Sequence, residues 1–439
     1  MVAEVISIEY QQNPVGALNF DKSLGYGVFE YHPKFIESGI ELSPIHMPLS
    51  DKLYFFPFLN PATFKGLPGM IADSLPDDFG NRILNAWVLS QGRAPQSISP
   101  VERLHYTGSR GMGALEYTPA KRVKSLNASE SVAINELVQI TQAVLNDRNA
   151  LDVSLTSSSM ADPEAMLALL SVGTSAGGAR AKAVLAFNED FTQVRSGQTT
   201  VPANFNHYLM KFDGVNEHNK NSETFGDPMG FGAMEYVYYL MAKNCGINMM
   251  ECKLLNEGHR RHFLTKRFDR NANQKIHIQS LNGLAHVDYK LPGSYSYEEI
   301  FLIARKLRLP PVDAMDLLRR MVFNIIARNH DDHSKNFAFM LDAESNWRLT
   351  PAYDLAYSSK PGSKWVDQHL MSLNGKRDDF NRSDFMNLVN ISPLFNPTRI
   401  ALVIEEVKQA VSQWRVLAQN EGVPEGLIQE VESNLRLNI

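Results

Sequence analysis

The segment Asn329-His330-Asp331-Asp332-His333-Ser334-Lys335-Asn336 holds residue types that phosphoryl transfer needs, at a spacing that suits it. An aspartate is followed five positions later by an asparagine, with a histidine just before the aspartate. One carboxylate must orient an attacking hydroxyl and accept its proton, while an amide oxygen a short loop away reaches a Mg²⁺ held against phosphates. Counting back from Asn336 gives the first task to Asp331 rather than to its neighbour Asp332, and the second to Asn336. A polar run between a helix and a strand could also be an ordinary solvated loop, so the reading depends on what else the chain carries.

A second carboxylate, Asp354, lies in Leu349-Thr350-Pro351-Ala352-Tyr353-Asp354, after a short apolar-flanked connection from Phe337 to Met340. A kinase keeps its other metal ligand at this position, although Leu355 and Ala356 replace the Phe-Gly of the common motif. Upstream, Lys211 closes the apolar stretch Tyr208-Leu209-Met210, as a strand lysine that neutralises α and β phosphates would. Glu235 falls on the next helix and can pair with it. Earlier still, Ser171 to Lys182 reads SVGTSAGGARAK, whose small residues allow backbone N–H groups close to phosphates. It is not a Walker loop, since Ala179 and Arg180 follow Gly178 where Lys and Ser or Thr would be required. A lone lysine, glutamate or glycine-rich turn carries little weight. Their order does: phosphate loop, strand lysine, helix glutamate, aspartate with asparagine, metal aspartate.

These residues need elements to hold them. From Val2 to about Phe58, short apolar stretches alternate with Gly, Pro and Asn, predicting a small sheet. A helix is expected from Asp77 to about Gly92, then a glycine-rich turn and strand over Gly108–Tyr117, with a boundary near Ala120. Glu130–Asn146 has the periodicity of an amphipathic helix. Ala183–Phe187, His207–Phe212 and Phe263–Phe268 read as strands, and Ala233–Lys243 as a helix. Tyr297–Leu307, Val312–Ala327, Arg399–Ala418 and the segment from Glu425 are helical. A strand-rich half before a helix-rich half predicts a bilobed, kinase-like α+β fold. The expected divisions are residues 1–120, 121–270 and 271–439.

Composition fits an enzyme in water. The 439 residues exceed the size at which single cores stop growing, and 44% hydrophobic with 21% charged residues is ordinary for a globular protein. The net charge of −5 argues against a chain that grips DNA unaided. Two cysteines, Cys245 and Cys252, are too few for a zinc site without nearby histidines. No apolar run approaches the roughly 20 residues that span a bilayer, and MVAEVISIEY lacks the pattern of a secretion signal. A cytoplasmic location without membrane contact is expected.

GTSAGGARAK, LMKF, KRFDR, HDDHSKNF and LTPAYDL, in that order, resemble the signatures of the HipA family, the serine/threonine kinase toxins of bacterial toxin–antitoxin pairs. The likeness spans about Ser171 to Ser358, with looser agreement at Leu75-Pro76-Asp77 and Gly111 to Leu115. The resemblance implies an ATP- and Mg²⁺-dependent kinase. Ala176, Gly177, Gly178, Ala179, Arg180 and Ala181 would cover the phosphates, with Lys211 contacting them. Lys266, Arg267 and Phe268 would form the hinge under adenine, where Lys266 departs from the acidic residue of the family. His333, Ser334, Lys335, Asn336 and Tyr353 would complete the nucleotide site, Asn336 and Asp354 would hold Mg²⁺, and Asp331 would be the base.

The resemblance further implies autophosphorylation at Ser175, with Ser171 and Thr174 close by. It implies a small helix-turn-helix antitoxin that carries the complex to operator DNA as a corepressor. The best-known family member phosphorylates glutamyl-tRNA synthetase. Two alternatives fit the same carboxylates: a small-molecule phosphotransferase of the aminoglycoside or choline kinase type, and a non-catalytic repressor subunit. The region up to Ala120 shows no chemistry of its own and is expected to serve in docking.

Overall fold

The computed structural model describes residues 4–120, 131–146, 170, 172–173, 180–216, 226–227 and 229–439. Its first sheet is antiparallel, in the order Tyr26–Tyr31, Asn13–Asp21, Glu4–Tyr10, Leu115–Thr118. Alternation decides its inner face: Ile6, Ile8 and Tyr10 from one strand and Val15, Leu18 and Phe20 from the next are buried. The strands stop at Tyr31, short of the expected Phe58. Pro33 and Pro61 instead open single helical turns, and Tyr54 alone bridges back to Phe29. Proline has no N–H to give a ladder, so a segment this rich in it cannot continue the sheet.

A second sheet has five antiparallel strands in the order Cys252–Glu257, Arg260–Lys266, Phe205–Lys211, Lys182–Asn188, Val194–Ser196. Every residue of Lys182–Asn188 is buried. Phe79 and Ile83 of the helix Asp78–Ser90, with Leu137 and Val138 of the helix Ile134–Asn146, pack into the same cluster. The helix Phe231–Asn244 lies against the Arg260–Lys266 strand.

The helical half is built around Pro311–Ile326, whose Leu317, Leu318, Met321, Val322, Phe323, Ile325 and Ile326 are all inaccessible to solvent. Tyr297–Lys306 enters through a capping box between Ser296 and Glu299. The single helix expected over Arg399–Ala418 is two, Pro397–Val411 and Trp414–Asn420, followed by Glu425–Asn434. The break lets Trp414 turn inward and donate its indole N–H to the Ile428 carbonyl at 3.0 Å. A three-stranded sheet, Ile278–Ser280, Ala338–Leu341 and Trp347–Leu349, closes this half. The loop carrying Asp331 and Asn336 runs from the buried helix into its central strand.

One continuous apolar core joins the first sheet to the helical half, running from Ile6 and Phe29 to Met321 and Phe323. Polar latches add to it. Asp73 accepts the Ser280 N–H at 2.7 Å and its hydroxyl at 2.6 Å, and His277 Nε2 donates to the Leu42 carbonyl at 2.9 Å. Burial lowers the His277 pKa to about 4, against a small opposing effect of that bond. The neutral ring stabilises the fold fully above about pH 6.5, and this contribution is lost as pH falls through 4. Thermal melts between pH 7.5 and 5 should therefore show stability declining below pH 6.5 by up to about 1.4 kcal/mol per pH unit from this residue. The His277→Gln variant should have a shallower slope, and an unchanged slope would count against it.

Both cysteines are buried and unpaired, and burial pushes each thiol up to about 12. Among the described residues, no helix is long and apolar enough to cross a membrane.

Candidate active site

Lys211 ends its strand, and the register sets it opposite Phe263 on one side and Lys182 on the other. Its ammonium lies 2.5 Å from Glu235 Oε1 and also bonds Asp354. The three residues come from the second sheet, the helix behind it and the helical half, so this one ammonium ties both lobes together. Burial disfavours the charge on Lys211, but Asp354 and Glu235 outweigh it and raise its pKa. Burial also opposes the charge on Asp354, and there Lys211, Lys182 and Arg180 prevail, holding the carboxyl well below its usual range. Asp354 has φ of 56°, in the left-handed region, which turns its carboxylate back toward Lys211.

The Glu235 helix is fixed in place by Asp213, two residues beyond Lys211. Its carboxylate accepts the N–H of Gly230 at 2.9 Å, of Gly232 at 3.2 Å and of Arg261 at 3.2 Å. Gly232 is required there, because a Cβ would collide with the Arg261 carbonyl. Asp213→Ala would leave two buried amides and one partly buried amide without this acceptor, at a cost of about 1–3 kcal/mol. Urea unfolding should show that loss, with an unchanged midpoint the contrary result.

On the loop from Asn329 to Asn336 the two adjacent aspartates have different surroundings. Asp332 is inaccessible. It accepts N–H groups from Leu370 at 2.7 Å and Met371 at 3.2 Å on one oxygen, and Tyr297 OH at 2.7 Å and His369 Nδ1 at 2.8 Å on the other. The Asp331 side chain keeps 34% of its exposure. Its Oδ1 accepts the Trp365 indole N–H at 2.7 Å, with His333 Nε2 3.5 Å away. Asn336 Nδ2 donates to the Asp331 carbonyl at 2.7 Å, which leaves its amide oxygen out of that bond. Tyr289 packs against His333 at 5.3 Å and Trp365 at 6.4 Å, beneath the Lys335 ammonium at 4.9 Å. The Ser334 hydroxyl is engaged by the Val287 carbonyl, and the Tyr353 hydroxyl by the Lys335 carbonyl.

Leu209, Thr265, Lys266, Arg267, Phe268 and Tyr353 line a pocket that opens to solvent. The Arg267 side chain does not face it as a free cation, since Asp269 binds it through two bonds of 2.8 and 2.7 Å. At Arg267 only the backbone is then left to meet a ligand. The opposite wall includes Met70, Asp73, Ser74 and Met112 of the first region. Asp269 accepts the Gly113 N–H at 2.8 Å, and Arg270 donates to the carbonyls of Gly111 and Gly113. The region expected only to dock thus helps to enclose the pocket.

Arg180 lies 3.8 Å from Glu235, and Ala181 is buried beside it. Ser171, Thr174, Ser175, Ala176, Gly177, Gly178 and Ala179 lie outside the described residues. Lys182, Asp77 and Trp365 are additional members of the cleft. Lys182 could have been read from the end of GARAK and Asp77 from the Leu75-Pro76-Asp77 segment, but nothing adjacent marks Trp365.

Among the described residues, no three His, Cys, Asp or Glu side chains converge as a metal site. A Mg²⁺ bound with nucleotide phosphates needs only one or two protein oxygens. Asn336 and Asp354 fit that requirement, each keeping an oxygen that the bonds to Asp331 and Lys211 do not use.

A strand lysine bound to a helix glutamate and to an aspartate of the helical half belongs to a bilobed, kinase-like fold. Sequence comparison agrees: residues 174–414 match the HipA-like C-terminal domain and residues 6–118 the HipA N-terminal domain. The chain belongs to the HipA family. It is 27% identical over 142 residues to the serine/threonine-protein kinase toxin HipA of Shewanella oneidensis, covering 28% of this chain and 33% of that one. The match thus spans about a third of that relative's length. The fold is similar to HipA in the solved complex of Shewanella oneidensis HipA, HipB and operator DNA, with a TM-score of 0.65 at 17% identity, covering 98% of this chain and 95% of that one.

Proposed function

We propose that this chain is an ATP- and Mg²⁺-dependent serine/threonine protein kinase, acting as the toxin of a toxin–antitoxin pair in the cytoplasm. The observation that carries the reading is the ammonium of Lys211 bound to Glu235 and Asp354 at once. Lys211 would neutralise phosphate charge, and the pocket over Lys266–Phe268 would take adenine. Asp331, oriented by Trp365, would accept the proton of a serine or threonine hydroxyl as its oxygen attacks the γ phosphorus and the bond to ADP breaks. Asn336 and Asp354 would hold the Mg²⁺, which offsets charge on the transferring group.

The solved neighbour contains an antitoxin and operator DNA. By that likeness we infer a small helix-turn-helix antitoxin as partner, with this chain carried to DNA as corepressor, consistent with its net charge of −5. A translation component such as glutamyl-tRNA synthetase is the substrate we propose, with autophosphorylation at Ser175. That modification would add about −1.5 to −2 charge and oppose closure of the loop over phosphates.

The test is transfer of labelled γ phosphate with Mg²⁺, to the chain itself and to proteins of a host lysate. Label should enter protein, fall by about 10²–10³-fold in Lys211→Met, and map to Ser175 by mass spectrometry. ATP consumption only with small cationic acceptors would overturn the reading in favour of a small-molecule phosphotransferase. No turnover at all would leave a repressor subunit.

A further inference from the structure

We propose that Asp77, in the first region of the chain, is a positioning residue of the nucleotide site and acts through Lys182; this rests on the function proposed above. Lys182 begins its strand directly opposite Lys211 in the antiparallel register. Side chains at paired positions leave the same face of a sheet, so two ammonium groups enter the cleft together. They line one small pocket with Glu235 and Asp354. Lys211 has two carboxylates there. Lys182 has a different one: its Nζ lies 3.2 Å from Asp77 Oδ2, with the two side chains 3% and 2% exposed.

Both oxygens of Asp77 are committed. Oδ1 accepts the Gly80 N–H at 2.6 Å and caps the helix Asp78–Ser90, which fixes the carboxylate and aims Oδ2 at Lys182. A buried ammonium requires a counter-charge. Without Asp77, the carboxylates at hand for Lys182 are Asp354 and Glu235, both already engaged by Lys211. Lys182 would then compete with Lys211 for the groups that set the phosphate end. Asp77 keeps the two lysines apart, each with its own partner, and does so from outside the two lobes.

Asp77→Asn separates this role from helix capping, since asparagine also caps well while carrying no charge. Equilibrium binding of a fluorescent ATP analogue with Mg²⁺ is measured on the full chain, alongside kcat and KM for label transfer. Nucleotide affinity should weaken by about tenfold or more, with KM for ATP rising more than kcat falls. In a Lys182→Met background the same substitution should change nucleotide affinity no further. If Asp77→Asn is too unstable to assay, the double variant, which buries no unpaired charge, is compared with Lys182→Met alone. Equal affinities uphold the proposal. An unchanged affinity in Asp77→Asn, or losses that add in the double variant, would overturn it. A wild-type chain that fails to bind nucleotide would instead remove the kinase reading itself.

Discussion

Asp331→Asn should yield a protein that melts close to the wild type and transfers phosphate about 10²–10⁴ times more slowly. The side chain is partly exposed, and its hydrogen bond from Trp365 can be kept by an amide oxygen. Substitutions at such positions usually change stability little, by about 0.5 kcal/mol. What asparagine cannot do is accept the proton of the acceptor hydroxyl. Single-turnover transfer, with thermal melting as the control, checks both halves. A variant that transfers label at the wild-type rate would remove Asp331 from the chemistry.

Its neighbour should behave in the opposite way. Asp332→Ala strips the acceptor from two backbone amides, Tyr297 and His369, all buried. Leaving this set unmatched should cost about 3–5 kcal/mol, enough to unfold much of a marginally stable protein. Chemical denaturation should show a midpoint well below that of Asp331→Asn. If Asp332→Ala were stable but inactive, and Asp331→Asn active, the roles of the two aspartates would be exchanged.

The contrast shows what the sequence made legible. Asp331 and Asn336 sit five residues apart, and Lys211 and Glu235 on successive elements, so their relation is local and survives as spacing. Asp354 could be placed because a short strand pair separates it from the loop. The expectation of two lobes, strands first and helices after, follows from periodicity and agrees with the fold. Asp77 with Lys182, and Trp365 with Asp331, are paired only by tertiary packing. No residue type or spacing near Trp365 indicates that its indole will reach a carboxylate. Met70 and Asp73 fall where no motif is read and Met112 in the loosely family-like segment Gly111 to Leu115, and only the folded chain brings them to the pocket. The strand boundary at Tyr31 was missed because apolar patterning outweighed the prolines that follow.

The Asp213 cap has a consequence for how such a protein can be held inactive. Kinase-like folds can be turned off by swinging the glutamate helix away from its lysine. In this chain that motion would strand the Asp213 carboxylate together with the amides of Gly230 and Gly232. The swung-out state is therefore penalised by several hydrogen bonds at once. To populate it from 1:99 to 99:1, an inhibitor would need about 10⁴-fold preference for it. Restraint that leaves this helix in place, such as occlusion of the cleft, would be released with no rebuilding of the lysine–glutamate contact.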